Sequence, residues 1–362
     1  MKLTLTKVGR MPDPHRHVSA LVDWLRAALE QAKYSSSAAG RTVRFGARDL
    51  EIYASSTETL ATYTSGLYAV SSRFTAFGTA TGASLFIAAP HESVPMPSLE
   101  GLTFGPYGAI VSDTGAILRA LDRAGDSWLA TINIAKGTVL ALEVSSRSAI
   151  FSMAVPLAPR EIAEFARPLL HWLAILDGNV VVHAGAVADE QSGLLVVGAG
   201  NSGKTTFVGV CMESGMAFLG DNVVEVSSLE SSIAPKLNGA YASLKIRPNS
   251  PVRLTDQMCS TLWDDEAQKA VHILHQTPES TSLVSPELKS VLVVGSRFPE
   301  VPMPISKSEA YFAIAPNTVA QFPYFEREVL TRVHKVIRQA QTYSIGHVDT
   351  MAIPALAKKL LQ

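Results

Sequence analysis

The chain has 362 residues, 47% of them hydrophobic, with 31 Lys and Arg against 32 Asp and Glu for a formal net charge of −1. That length predicts two domains rather than one, and the balanced charge excludes the basic footprint of a nucleic-acid or anionic-membrane binder. Its two cysteines, Cys211 and Cys259, form neither a metal-type spacing nor a disulfide framework. The opening MKLTLTKVGRMPDPHRH has no apolar core of a signal peptide, and no run reaches the length of a membrane span. A cytoplasmic protein without membrane or nucleic-acid partners is therefore expected.

In chain order, residues 18–33 predict an amphipathic helix, with Val18, Leu21, Val22, Leu25, Ala28, Leu29 and Ala32 on one face. Residues 34–40 predict a loop. Val43 and Phe45, then Leu50 and Ile52, alternate as a strand pair around Gly46. Serine, threonine and glycine crowd residues 55–82 without a clear period. Residues 83–89 predict a buried strand, 90–106 Pro-rich loops, and 114–124 a helix. Residues 128–135 and 138–144 predict a hairpin turned at Lys136–Gly137. This half, residues 1–150, is expected to be a mixed α+β domain, and it carries no motif tied to chemistry.

From residue 151 the texture becomes a continuous α/β pattern. Residues 160–176 predict a helix bent at Pro168. Two apolar strands follow, 179–188 and 194–198, joined by the polar turn DEQSG. A helix ends near Ser214 with Gly215 as its stop. Further strands are expected at 216–221, 223–226, 241–247 and 290–295, and helices near 307–315, 326–340 and 353–361. The helix from 326 is expected to bury Val329, Leu330, Val333, Val336 and Ile337.

Between the strand at 194–198 and its helix lie Gly198, Ala199, Gly200, Asn201, Ser202, Gly203, Lys204, Thr205 and Thr206. This is G-x-x-x-x-G-K-[ST] in its strand, turn and helix context. Glycines let backbone N–H groups face phosphate oxygens, and the helix N-terminus adds unpaired donors and a positive dipole end. Lys204 is expected on the β- and γ-phosphates of ATP and Thr205 on Mg²⁺. Asp221 ends the next apolar run, where strand ends of open α/β sheets meet ligands. His183 interrupts the run VVVHAGAVA, where small residues after it allow close approach. Lys245 and Arg247 share one face of a strand and are candidate phosphate contacts. Arg253, Arg297 and Gln321 are weaker candidates; His272 and His275 are spaced for zinc but lack a third ligand.

His183, the Gly198–Thr205 loop and the segment GMAFLGDNVVEV together resemble the catalytic domain of HPr kinase/phosphorylase and the HPr-kinase-related serine kinases. Those proteins share a nucleotide-binding core with ATP-dependent phosphoenolpyruvate carboxykinases. The likeness is good over residues 160–230, weaker at 240–248 and 313–323, and absent from the first half. It implies a P-loop kinase domain over 151–362 that moves the γ-phosphoryl group of ATP to a hydroxyl of a protein, peptide or small molecule, most naturally serine. Catalysis would fall to Asp221 as base, His183 beside the phosphate and Lys245. Mg²⁺ would rest on Thr205, Asp221 and the next position, where the family has a second Asp and this chain has Asn222. HPr kinases are hexameric, so a homo-oligomer is a further expectation of the resemblance. Asn222 leaves open a nucleotide-binding regulatory protein without transfer, and the spacing of the loop and Asp221 also resembles small-molecule kinases of the shikimate-kinase type, against which the HAGAVA strand and the long segment before it count.

Overall fold

Helix α1 (Pro14–Ser35) lies along a sheet and presents Leu21, Val22, Leu25, Ala28, Leu29 and Ala32 to it, six of the seven residues of the stripe read from the sequence; the side chain of the seventh, Val18, lies outside what is described. The structure is a computed structural model describing residues 14–35, 39–71, 82–88, 110–111, 116–123, 126–133, 137–229, 233–275, 285–322 and 325–362. The expected Pro-rich loops at 90–106 lie outside the described residues.

The first sheet contains β1 (Ala39–Phe45), β2 (Arg48–Ala54), β3 (Tyr68–Ser71), β4 (Ala83–Ala88), β5 (Ile110–Val111), β6 (Ala116–Arg123), β7 (Asp126–Asn133), β8 (Thr138–Glu143) and β9 (Ser148–Met153). Their order is β3-β1-β2-β4-β9-β8-β7-β6-β5, with β2, β4 and β9 mutually parallel. A short helix, α2 (Thr57–Thr64), links β2 to β3 and is capped by Ser56. Strand alternation sorts the two faces. Phe86 and Ala88 meet α1, while Leu85 and Ile87 face the second half of the chain.

That half supplies α3 (Pro159–Ala163), α4 (Arg167–Leu176), β10 (Val180–Val182), β11 (Gly185–Ala188), β12 (Ser192–Val197), α5 (Lys204–Glu213), β13 (Ala217–Gly220), β14 (Val224–Ser227) and β15 (Lys236–Gly239). It continues with β16 (Ser243–Ile246), β17 (Cys259–Asp264), β18 (Lys269–Leu274), β19 (Glu287–Val294), β20 (Met303–Pro304), α6 (Lys307–Gln321), α7 (Glu326–Gln339), β21 (Gln341–Ile345) and α8 (Ile353–Leu361). The second sheet runs β10-β14-β15-β19-β12-β11-β13, with β21 beside β19 and β20 beside β21. It is mixed: β12, β19 and β21 are parallel, and β11 and β13 are antiparallel to their neighbours. Leu194 and Val196 pack toward α5 and α8, and Leu195 and Val197 toward α6 and α7. Strands β16, β18 and β17 form a small third sheet beside α5. The chain is thus a mixed α/β protein.

The strands divide at Met153, but the core does not. Phe45, Ile52, Leu85 and Leu142 of the first sheet share one buried cluster with Phe165, Leu169, Trp172, Val181, Val223 and Tyr241. Arg48 adds a polar tie, reaching Asp177 at 2.7 Å and the fully buried Glu225 at 2.5 Å.

Four sequence expectations need correction. Residues 116–123 form β6, not a helix: their spacing suits either form, and pairing with β7 along its whole length decides it. The single bent helix at 160–176 is two helices. Ala166 is left-handed (φ 55°) and Pro168 sits in the first turn of α4, where it starts a helix rather than bending one. The strand at 179–188 is broken at His183: β10 pairs with β14, whereas β11 pairs with β12 and β13. Leu330 is 37% exposed, unlike Val329, Val333, Val336 and Ile337.

Candidate functional site

The loop between β12 and α5 depends on two backbone positions. Gly203 begins α5 at φ 102°, which a side chain tolerates poorly. A Cβ on Gly198 would lie 2.3 Å from the Val294 carbonyl oxygen, so β19 presses directly on the turn. Lys204 folds its ammonium back onto the loop, donating to the Gly198 and Ala199 carbonyls at 2.9 Å each. Burial lowers its pKa; Asp221 opposes that shift and Lys269 adds to it.

Thr205 Oγ1 lies 3.0 Å from both carboxylate oxygens of Asp221, which is 3% exposed. Burial raises the Asp221 pKa and Glu164 adds to the rise, against the Thr205 hydrogen bond and the charges of Lys245 and Lys204. Asn222 follows in the left-handed region (φ 68°), which Asn tolerates better than most residues.

The break between β10 and β11 delivers His183. Its backbone N–H donates to the buried Thr318 hydroxyl at 3.2 Å, and Nδ1 is buried with no hydrogen-bond partner among the described residues. Burial pushes its pKa down to about 4, helped by Lys204 and Arg167 and opposed by Glu164 and a bond to the Asn222 backbone. The ring is therefore neutral at pH 7. Between the ordinary value of 6.5 and about 4 the unfolded chain binds the proton that the folded chain refuses, so this group makes stability fall as pH falls through that window. His183→Gln should flatten the loss of melting temperature between pH 6.5 and 4. An unchanged slope would show that other groups set it.

Sequence reading missed Glu164, which lies behind the site and holds two of its residues, Lys245 and Asn222. It accepts from Lys245 through Oε1, from Asn222 Nδ2 at 3.2 Å, and from Arg167 Nη1 at 3.2 Å. Burial pushes its carboxyl up, but Lys245 and Arg167, with the hydrogen bonds from Lys245 and Asn222, outweigh this and hold it below the usual range. Arg167 also donates to Gln321 Oε1 at 3.1 Å, which places that candidate beside the site. Pro168 was the available signal: read as the start of a helix, it puts Glu164 in the turn before it.

These groups surround a cavity of about 430 Å³ lined by His183, Gly200–Thr206, Asn222, Lys245, Arg247, Asn249, Ser250 and Lys269, among others. Lys204, Lys245, Arg247 and Lys269 are four cations, and no carboxylate is among the described residues that line it. The Ser202 hydroxyl is buried without a partner among the described residues, and a Cβ on Gly200 would meet open space. Gly198, Ala199 and Asp221 are not in this lining but hold residues that are, the first two accepting from Lys204 and Asp221 from Thr205. A second cavity of about 360 Å³ adjoins it, lined by Thr131, Asn133, Thr138, Leu140 and Phe151 from the first sheet and by Glu164, Arg167 and Lys245.

The remaining candidates stand elsewhere. Arg253 bonds the Ser250 carbonyl, Arg297 lies over the Phe298 ring, His272 contacts Thr261, and His275 contacts Ser260. No helix among the described residues is long and apolar enough to cross a membrane. No protein-family model matches the chain, and no curated protein matches it.

Proposed function

We propose that this chain is a P-loop kinase of the HPr-kinase type that binds ATP with Mg²⁺ and transfers the γ-phosphoryl group to a hydroxyl, most naturally serine of a protein or peptide. The observation that carries this reading is the cavity beside the Gly198–Thr206 loop, with four cations and no carboxylate among the described residues that line it. Such a surface suits a polyphosphate and repels little of its charge. The Ser202 hydroxyl, buried without a partner among the described residues, and the open side of Gly200 fit the same group.

In this reading the Lys204 ammonium exchanges its carbonyl contacts for phosphate oxygens. Lys245 and Arg247 offset charge on the transferring group. Thr205 and Asp221 would hold Mg²⁺, with Asn222 adjacent, and the ion would supply charge neutralisation at the phosphates. Asp221, which stands behind Thr205 and outside the cavity lining, is the candidate base for the acceptor's proton once Thr205 turns to the metal, its basicity increased by burial. Neutral His183 offers an uncharged ring beside the phosphate.

Asp221→Asn keeps size and hydrogen bonding but removes the base. Transfer of label from γ-labelled ATP to a panel of serine, threonine and small hydroxyl acceptors should fall about 10²-fold or more, while ATP affinity changes much less. Transfer at the wild-type rate would make Asp221 structural only. A second reading, a nucleotide-responsive binding protein, is favoured by Asn222, whose amide is engaged with Glu164. ATP binding with no consumption on any acceptor would support it.

A further inference from the structure

Lys245 lines both cavities. Its ammonium rests on Glu164, and both side chains are largely shielded, at 15% and 7% exposure. The pair therefore forms part of the wall between the phosphate cavity and the chamber under the first sheet.

The pairing is lopsided. Glu164 has two cations, Lys245 and Arg167, and an amide donor, Asn222. Losing the partner of a buried carboxylate normally strands its charge at high cost. Here Arg167, steadied by Gln321, and Asn222 would remain, so Lys245 can leave without stranding Glu164. Lys245 already lines the phosphate cavity, so its alternative partner is an anion arriving there.

We propose that Glu164 holds Lys245 in reserve and yields it to the terminal phosphate of a nucleoside triphosphate, so that this ion pair distinguishes triphosphate from diphosphate. A diphosphate ends one phosphoryl group short and leaves Lys245 on Glu164. A triphosphate draws Lys245 out of the wall and opens the phosphate cavity toward the chamber, where Thr131 Oγ1 is a buried hydroxyl without a partner among the described residues. Glu164 is thus a positioning residue acting through Lys245. This inference rests on the proposed nucleotide site.

Calorimetric titration of AMP-PNP and ADP, each with Mg²⁺, into wild type, Lys245→Met and Glu164→Gln tests it. Lys245→Met should lose about tenfold in AMP-PNP affinity, the scale of one charge-assisted hydrogen bond, with ADP affinity unchanged. Glu164→Gln should shift the other way, binding AMP-PNP several-fold more tightly because Lys245 is no longer held. A merely structural role would weaken both ligands in both variants. If wild type binds both nucleotides and the variants change their affinity ratio by less than twofold, the inference fails while the nucleotide site stands. If wild type binds neither, the proposed function fails and the inference with it. Should Glu164→Gln not fold, Lys245→Met alone decides through the same ratio.

Discussion

Arg48→Met is expected to destabilise the whole protein by about 3–5 kcal/mol, the cost of leaving a buried carboxylate without its cation. Glu225, on β14, is fully buried and accepts from Arg48 Nη2, from Asn179 Nδ2 at 2.7 Å and from the Ala47 backbone N–H at 3.1 Å. Only Arg48 brings positive charge among these donors. The same guanidinium reaches Asp177 at the end of α4, which also holds Arg147 at 2.6 Å. The substitution thus unties the first sheet from α4 and β14 in one step. Urea unfolding should show the loss as a lower midpoint of a single transition, because Phe45 and Leu85 share their core with Trp172 and Tyr241. Adding Glu225→Gln to Arg48→Met should recover much of the loss, since a neutral amide no longer needs the cation. A loss under about 1 kcal/mol would mean that water reaches Glu225 and that the two halves are held by apolar packing alone.

The elements with a strong period were legible in the sequence. The α1 stripe, the β1–β2 pair, the strand into the Gly198–Thr206 loop and the end of α5 before Gly215 stand where their residues indicate, because local pattern and tertiary burial agree there. The second half of the site was legible only in part. His183, Lys245 and Asn222 are distant in sequence and grouped there only by the resemblance, and they line one cavity in the fold. Glu164 was hidden by a helical period that runs straight through the break at Ala166. Nothing in the spacing of Ile162, Phe165 and Leu169 signals a left-handed residue between them. β6 was lost for a related reason: AILRALDR suits a helix as well as a strand, and its partner β7 decides the outcome. The second cavity could not be read at all, since its walls come from separate strands (Thr131, Asn133, Thr138, Leu140 and Phe151), from residues between Leu157 and Pro168, and from Lys245.

Lys204→Ala is expected to lower ATP affinity on the order of a hundredfold, about 3 kcal/mol, the upper range for hydrogen bonds to a charged group. The fold should tolerate the change. Lys204 is 6% exposed with its charged form disfavoured by burial, and its contacts to the Gly198 and Ala199 carbonyls hold a loop already shaped by Gly198, Gly203 and β19. Equal melting temperatures of variant and wild type would confirm that any lost affinity is local to the loop. Calorimetric titration of ATP with Mg²⁺ into both proteins is the most direct measurement of the claim that residues 198–206 hold a nucleotide's phosphates. One site in wild type, weakened on the order of a hundredfold in Lys204→Ala, is the predicted result; equal affinity in the two proteins, or no binding by wild type, would contradict it.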